Sequence, residues 1–224
     1  MRPIPNPTWH ITLPPRLCGG IELYAWVWTG ASYHMDWDSP FDKRDKATHR
    51  FAIADTRGRL DLSVPIAKPA SSRCLWSDIE VSTHGAWWDV HRVALESAYG
   101  RTPYFEYYVD RFLPMLTVGV TDRYRRLCDL AAAWEIQTAD ILGLKYTPEP
   151  LGLSPLLPTA APRLGASRPD WEARAASVLS PYRQVRADRL GFIPGLSVLD
   201  LIFNLGPEAQ IYLNDLANRL HIAQ

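Results

Sequence analysis

The stretch RFAIADTRGRLDLSVPI, residues 50–66, decides how the first half of the chain folds. Phe51 and Ile53 open a short apolar run, Thr56-Arg57-Gly58 supplies a turn, and Leu60, Leu62, Val64 and Ile66 then alternate strictly with other residues. A period of two puts those four side chains on one side of a pleated strand, so the segment reads as a β-hairpin with one buried face. Pro65 cannot donate to a ladder, which makes the second strand an edge or ends it there.

Upstream, residues 1–12 carry three prolines and read as an irregular arm. IELYAWVWTG (21–30) suits a buried helix or strand, and periodicity does not choose between them. ASYHMDW (31–37) reads as a strand by its alternation, and LWSDIEVS (75–82) is strand-like, with Ile79 and Val81 on one face.

The rest is helical in pattern. GAWWDVHRVALESAYG (85–100) places Trp87, Val90, Ala94, Leu95 and Ala98 at three- and four-residue spacing, with Gly100 as the stop. TPYFEYYVDRFLPML (102–116) continues the trend, and TDRYRRLCDLAAAWEIQTADILG (121–143) is one long amphipathic run capped by Thr121 or Asp122 and ended by Gly143. Residues 146–170 form a Pro-rich loop without helical or strand period, followed by a short helix in WEARAASVLS (171–180). LSVLDLIFNLG (196–206) and PEAQIYLNDLANRLHI (207–222) give two more helices, with Pro207 in a first-turn position. The expectation is a single domain over 1–224 of α/β or α+β class: a mixed sheet in the N-terminal half, then helices in the middle and C-terminal part.

Composition narrows the function. Twenty-four basic and 24 acidic residues leave no net charge, which argues against nucleic acid as a partner, since no basic excess exists to displace counterions. Cys18, Cys74 and Cys128 form no CxxC pair, so no zinc knuckle or redox dithiol is expected, and the sparse, odd count fits a reducing compartment. The start, MRPIPNPTWHITLPP, lacks the apolar run of a signal peptide, and no segment has the ~18 continuous apolar residues of a transmembrane span. A soluble, cytoplasmic protein is expected. GxxxxGK[ST], GxGxxG, GxSxG and HExxH are all missing from the sequence, and no metal site is expected.

Three constellations carry chemistry. FDKRDKATHRF (41–51) packs Lys43, Arg44, Lys46, His49 and Arg50 together, which reads either as a clamp for a phosphate or carboxylate or as a solvated turn. In HGAWWDVH (84–91), His91 falls one helical turn past Trp87, placed to act as a general base or to pack on the ring. In LSVLDLIFNLG, Ser197 and Asp200 match a capping box, and Asn204 lies one turn beyond Asp200. Asp200 and Asn204 either hold sugar hydroxyls or form the polar edge of a capped helix; a polar stripe inside so apolar a helix is a costly place to leave unpaired groups.

The segment GRLDLSVPIAKPASS…WSDIEVSTHGAWWDVHRVALESAYGRTPYFEYYVDRFLPML resembles the body of the WbqC-like protein family. Trp87 or Trp88, His91, Tyr99, Pro103, Tyr104 and Phe105 stand at the positions of its W-x-x-x-H and A/N-Y-x-x-x-P-[YF]-[FY] motifs. The tail PYRQVRADRLGFIPGLSVLDLIFNLGPEA is similar to the family's closing run, matched at Tyr182, Gln184, Phe192, Pro194, Leu196, Ser197, Asp200, Asn204, Gly206 and Pro207. The likeness runs from about Leu13 to Leu213. It departs at Thr48-His49, where the family's K-x-x-[YW]-R-N-R stretch has Arg-Asn, and at Thr12–Pro15, a reduced Q-P-x-Y-[FL]-P element.

The resemblance implies a part in surface polysaccharide or O-antigen biosynthesis, with a nucleotide-linked or lipid-linked sugar as partner and no cofactor named. The leading reading is a transferase acting on an activated or amino sugar. In it His91 and Asp200 are catalytic, His91 as base, and Lys43, Arg50, Trp87 and Asn204 bind substrate. The alternative is a non-catalytic protein that binds a glycan intermediate or a partner. An enzyme should converge Lys43, Arg50, His91 and Asp200 on one cleft; a scaffold should scatter them.

Overall fold

The computed structural model describes residues 10–30, 32–42, 44–69, 71, 74–147 and 169–222. Mixed α/β architecture follows, with two separate strand pairs in the N-terminal half and helices after them.

The first pair is parallel: β1 (His10–Leu13) lies beside β2 (Ser32–Met35), and helix α1 (Ile21–Val27) makes the crossover that parallel strands need. So IELYAWVWTG is helix. The expected arm over 1–12 is corrected at its end, because Ile11 and Leu13 alternate into the core; residues 1–9 lie outside the described residues. On the other edge of β2, Tyr33 donates to the Lys145 carbonyl at 3.0 Å and accepts from the Thr147 amide at 2.8 Å. That ties down the start of the Pro-rich stretch, whose residues 148–168 lie outside the described residues.

The second pair is the expected hairpin, β3 (Arg50–Asp55) antiparallel to β4 (Gly58–Ser63), with Arg50 opposite Ser63 and Ala52 opposite Asp61. β4 stops two residues before Pro65. The hairpin differs from expectation in that both faces of β3 are covered: Phe51 and Ile53 join the main core, while Ala52 and Ala54 pack under Leu196. The strand expected at 75–82 is instead a 3₁₀ turn over Trp76–Asp78, in which the Asp78 carboxylate accepts from the Leu75 amide, followed by isolated bridges at Glu80 and Val81. Ile79 and Val81 are both buried nonetheless.

Helix α2 (Trp87–Tyr99) buries Trp87, His91, Leu95, Ala98 and Tyr99. Its buried face is turned from the expected one: Val90 faces out and His91 faces in. Helix α3 (Phe105–Phe112) follows. The single helix expected over 121–143 is broken into α4 (Val120–Arg123) and α5 (Leu127–Leu142). The break has a clear cause, since the Val81 amide bonds the Arg125 carbonyl at 2.9 Å and the Leu127 amide bonds the Ile79 carbonyl at 2.8 Å. Those extended pairings replace one helical turn, and the expected Thr121 or Asp122 cap gives way to Arg126 at the start of α5. Gly143 ends α5 in the left-handed region, at φ 67°.

Helices α6 (Pro169–Val178), α7 (Ala187–Leu190), α8 (Val198–Leu205) and α9 (Glu208–Ile222) complete the chain. Helix α8 is buried on every side from Val198 to Asn204, as an all-round apolar helix must be. The main core reaches from Ile11 to Leu220, and contacting rings of Phe51, Tyr99, Phe112, Trp134 and Phe203 run through it. Among the described residues no helix is long and apolar enough to cross a membrane. The three cysteines are free and buried.

Candidate functional site

A cavity of about 470 Å³ opens between the hairpin and the helical layer. Ligand pockets fall at ~300–1,000 Å³. Its floor is backbone from three distant segments: the Ser197 amide donates to the Ala52 carbonyl at 2.8 Å, the Ile21 amide to the Leu196 carbonyl at 3.3 Å, and the Val198 amide to the Gly19 carbonyl at 2.9 Å. Gly195 turns the chain into this floor at φ 69°, where a Cβ would stand 3.0 Å from an Arg59 Nη1. A side chain there would be strained and would crowd that guanidinium.

Period-two geometry builds one wall. Arg59, Asp61 and Ser63 share the β4 face opposite to Leu60 and Leu62, and across the ladder they meet Ala54, Ala52 and Arg50. The two alanines leave room, and Arg50, Arg59 and Asp61 all line the cavity. Arg50 donates from Nε to Ser63 Oγ at 2.7 Å and lies 3.9 Å from Asp61. Arg59 donates to the Gly195 carbonyl at 2.7 Å and to Asp61 at 3.2 Å. Lys46, from the 3₁₀ turn Lys46–Thr48 before β3, joins them. Two of these cations, Arg50 and Arg59, share one carboxylate and Lys46 adds a third positive charge, leaving this wall positive.

The helical side is different. Glu22 from α1 and Glu172 from α6 line it, and Arg16 pairs with Glu172 at 3.8 Å and with Asp45 at 3.0 Å. Burial pushes the Glu22 carboxyl above the usual range; its own backbone amide offsets this, nearby Glu172 raises it further, and Arg59 pulls it back. Ser197 Oγ and Trp171 Nε1, on lining residues, are buried with no hydrogen-bond partner among the described residues that meets ordinary geometry. Native interiors rarely leave such groups unspent.

Of the six residues singled out in the sequence, the cavity gathers Arg50; Lys43 lies outside the described residues. The basic stretch divides, with Arg44 reaching into solvent in a two-pronged pair with Asp42 and Lys46 and Arg50 facing the cavity. His91 and Trp87 stand behind the wall, their rings 5.3 Å apart, and His91 also meets Phe51 at 5.7 Å. Desolvation lowers the His91 imidazole to about 4, against a hydrogen bond to the backbone of Ser63, while its Nδ1 has no partner. His91 therefore braces the strand residue that holds Arg50.

Asp200 and Asn204 are spent inside the fold. Asp200 is completely buried; one of its oxygens accepts from the Tyr182 hydroxyl and from Gln184 Nε2, the latter at 3.0 Å, and the Tyr99 hydroxyl lies alongside. Asn204 accepts from the Val185 amide at 2.8 Å and donates to the Asp200 carbonyl at 2.8 Å. The capping box expected from Ser197 and Asp200 is corrected: Ser197 is the N-cap residue but its hydroxyl makes no cap bond, and the carboxylate points to Tyr182 instead. A second buried carboxyl, Glu135 of α5, accepts from the Tyr24 hydroxyl at 2.6 Å and from the Tyr33 hydroxyl, and burial raises it to about 7 against those two bonds.

Sequence reasoning overlooked Glu22, Arg59, Asp61, Trp171 and the lining role of Ser197. For Arg59 and Asp61 the signal was present: the alternation that marks Leu60 and Leu62 as buried puts the intervening charges on one face, opposite two alanines. Glu22 and Trp171 carry no such mark, because tertiary packing of α1 and α6 brings them there. Among the described residues no group of three His, Cys, Asp or Glu side chains gathers to hold a metal.

In comparison with known proteins, the family model described as WbqC-like protein family matches residues 37–151. That span holds the hairpin, His91 and α2 to α5, and ends before α6 and the tail. No curated protein and no solved structure matches the chain.

Proposed function

The chain belongs to the WbqC-like protein family, and from that premise we propose that it takes part in surface polysaccharide or O-antigen biosynthesis in the cytoplasm, binding an activated sugar in the cavity beside the hairpin. The observation that carries this reading is the trio Lys46, Arg50 and Arg59 on the wall of a 470 Å³ cavity, where Arg50 and Arg59 share the one carboxylate of that wall, Asp61. Such a surplus suits a phosphate, which guanidinium groups bind in pairs of hydrogen bonds and lysine as a point charge. Ser197 and Trp171 line the same cavity and bring a hydroxyl and an indole ring next to a bound sugar. Arg50 is the phosphate-facing residue in this reading, with Lys43 as a further candidate, and His91 positions it through Ser63.

The proposal has two forms, a transferase and a protein that holds the sugar intermediate without transforming it. The second draws on one observation: His91 and Asp200 do not line the cavity. Calorimetric titration with glucose 1-phosphate and with a nucleotide-linked glucose tests the binding. Saturable binding is expected in the unaltered chain, weakened at least about tenfold in Arg59→Ala, since a hydrogen bond to a charged partner contributes ~1.5–3 kcal/mol. No binding of either compound would sink the proposal. Release of nucleoside diphosphate from the second compound, in the presence of candidate acceptors, would separate transferase from binding protein.

A further inference from the structure

The two sides of the cavity carry opposite charge, and the anionic side contains a group the fold does not use. On the hairpin side, Lys46, Arg50 and Arg59 outnumber Asp61. On the helical side, Glu22 and Glu172 face a region where Arg16 is already engaged with Glu172 and Asp45. Glu22 forms no salt bridge among the described residues, and the groups acting on its carboxyl are its own backbone amide, Glu172 and Arg59. The Arg59 guanidinium is itself committed to Asp61 and the Gly195 carbonyl. A half-buried carboxylate beside a second carboxylate is an unfavourable arrangement that a bound cation would relieve.

Ser197 Oγ and Trp171 Nε1 belong to the same lining and are also without partners of ordinary geometry, in side chains that are 2% and 6% exposed. A neutral sugar phosphate would satisfy the cationic wall and leave Glu22 as it stands.

Resting on the activated-sugar reading above, we infer that the ligand is dipolar, an amine-bearing sugar phosphate, and that Glu22 is the residue that selects for its ammonium group. The phosphate then sits toward Arg50 and Arg59, the ring spans the floor over Ser197, and the ammonium donates to the Glu22 carboxylate. Gly20 keeps that carboxylate accessible: a Cβ at this position would stand 2.8 Å from Glu22 Oε2. A side chain there would push the acid off its place.

Glucosamine 1-phosphate and glucose 1-phosphate differ only at carbon 2, where one has an ammonium and the other a hydroxyl, and so make a matched pair for calorimetric titration of the full chain. The expected result is that the amine binds about tenfold tighter or better, the low end for a charge-assisted hydrogen bond. Glu22→Gln keeps the shape of the side chain and should erase that preference, so that the amine binds no better than glucose 1-phosphate. N-acetylglucosamine 1-phosphate, which has lost the charge, should bind no better than the glucose compound. Equal binding of the matched pair by the unaltered chain would overturn the inference about Glu22 and leave the activated-sugar reading standing. Absence of binding by all three, or binding that Arg59→Ala does not touch, would overturn both.

Discussion

The cavity floor and the cluster around Asp200 both draw on one short segment, Gly195–Asn204, yet they treat their polar groups in opposite ways. Around Asp200 the fold consumes most polar groups: Tyr182, Gln184, Val185 and Asn204 all find partners inside it, and one oxygen of Asp200 is left over. Three residues earlier, Ser197 leaves its hydroxyl without a partner of ordinary geometry on the floor, beneath a wall whose cations outnumber their carboxylate. Buried polar groups that are satisfied hold a shape, whereas those left over indicate where something else is meant to bind. The tail of the chain is thus half anchor and half site. Residues in the anchor should report on folding, and residues in the site on ligand.

The strongest test of that division is Asp200→Ala. It strands the Tyr182 hydroxyl donor in a buried place, at ~1–3 kcal/mol, and empties the volume of a completely buried side chain, while Gln184 keeps its bond to the Ile193 carbonyl. A loss of roughly 3 kcal/mol or more in denaturant unfolding is expected, large against a typical total of ~5–15 kcal/mol. Lys46→Ala, in the site, should leave the same measurement within about 0.5 kcal/mol. Equal effects from the two would erase the distinction between anchor and site.

The buried titratable groups sharpen it further, because their pH dependences have opposite signs. Glu135 is raised from 4.5 to about 7 in the folded protein, so the folded state holds its proton where the unfolded chain has lost it. The unfolded state therefore binds fewer protons between those values, and stability due to this group falls as pH rises from 4.5 to 7, then levels. Relative to Glu135→Gln, the unaltered chain should lose roughly 3 kcal/mol across that window. Asp200 is raised as well and adds a fall of the same sign, beginning near its ordinary value of 3.8. His91 works the other way: its folded value is lowered from 6.5 to about 4, so its contribution is lost as pH drops through that interval. Relative to His91→Phe, the unaltered chain should become less stable on acidification from 6.5 to 4. Urea unfolding of both variants at several pH values checks the two slopes. Parallel slopes would mean that burial of these groups is not what sets their protonation.

How much of this could be read beforehand follows from which interactions are local. The hairpin, α2 and the last two helices are legible because period-two and period-3.6 patterns act within a few residues. The split of 121–143 into α4 and α5 was hidden, since it depends on backbone pairing of Arg125 and Leu127 with residues 79–81, far away in sequence. Strand β1 was hidden for a similar reason: four residues among prolines gain their strand character only from β2. Within the site, Arg50 stood out as part of a basic run, and Arg59 and Asp61 were legible from alternation had the polar face been followed as closely as the apolar one. His91 and Asp200 looked reactive because they are polar residues in apolar helices. The same pattern describes a group that closes a buried network, and only three-dimensional neighbours tell the two apart.

Ser197 is where the two halves of the tail meet, and its removal is the finest test of the comparison. Its hydroxyl caps nothing in α8 and lies buried against the Cys18 thiol, to which it gives a weak sulfur hydrogen bond. Deleting a weakly paired buried hydroxyl takes away a desolvation cost along with a few packing contacts, so Ser197→Ala should change folding stability by no more than about 1 kcal/mol, in either direction. A capping serine would instead cost ~0.5–2 kcal/mol, always in the destabilising direction. Ligand binding should weaken by roughly two- to tenfold, the worth of one neutral hydrogen bond. A variant that unfolds more easily and binds a sugar phosphate as well as before would return Ser197 to the anchor. It would also leave the cavity floor without its defining polar group.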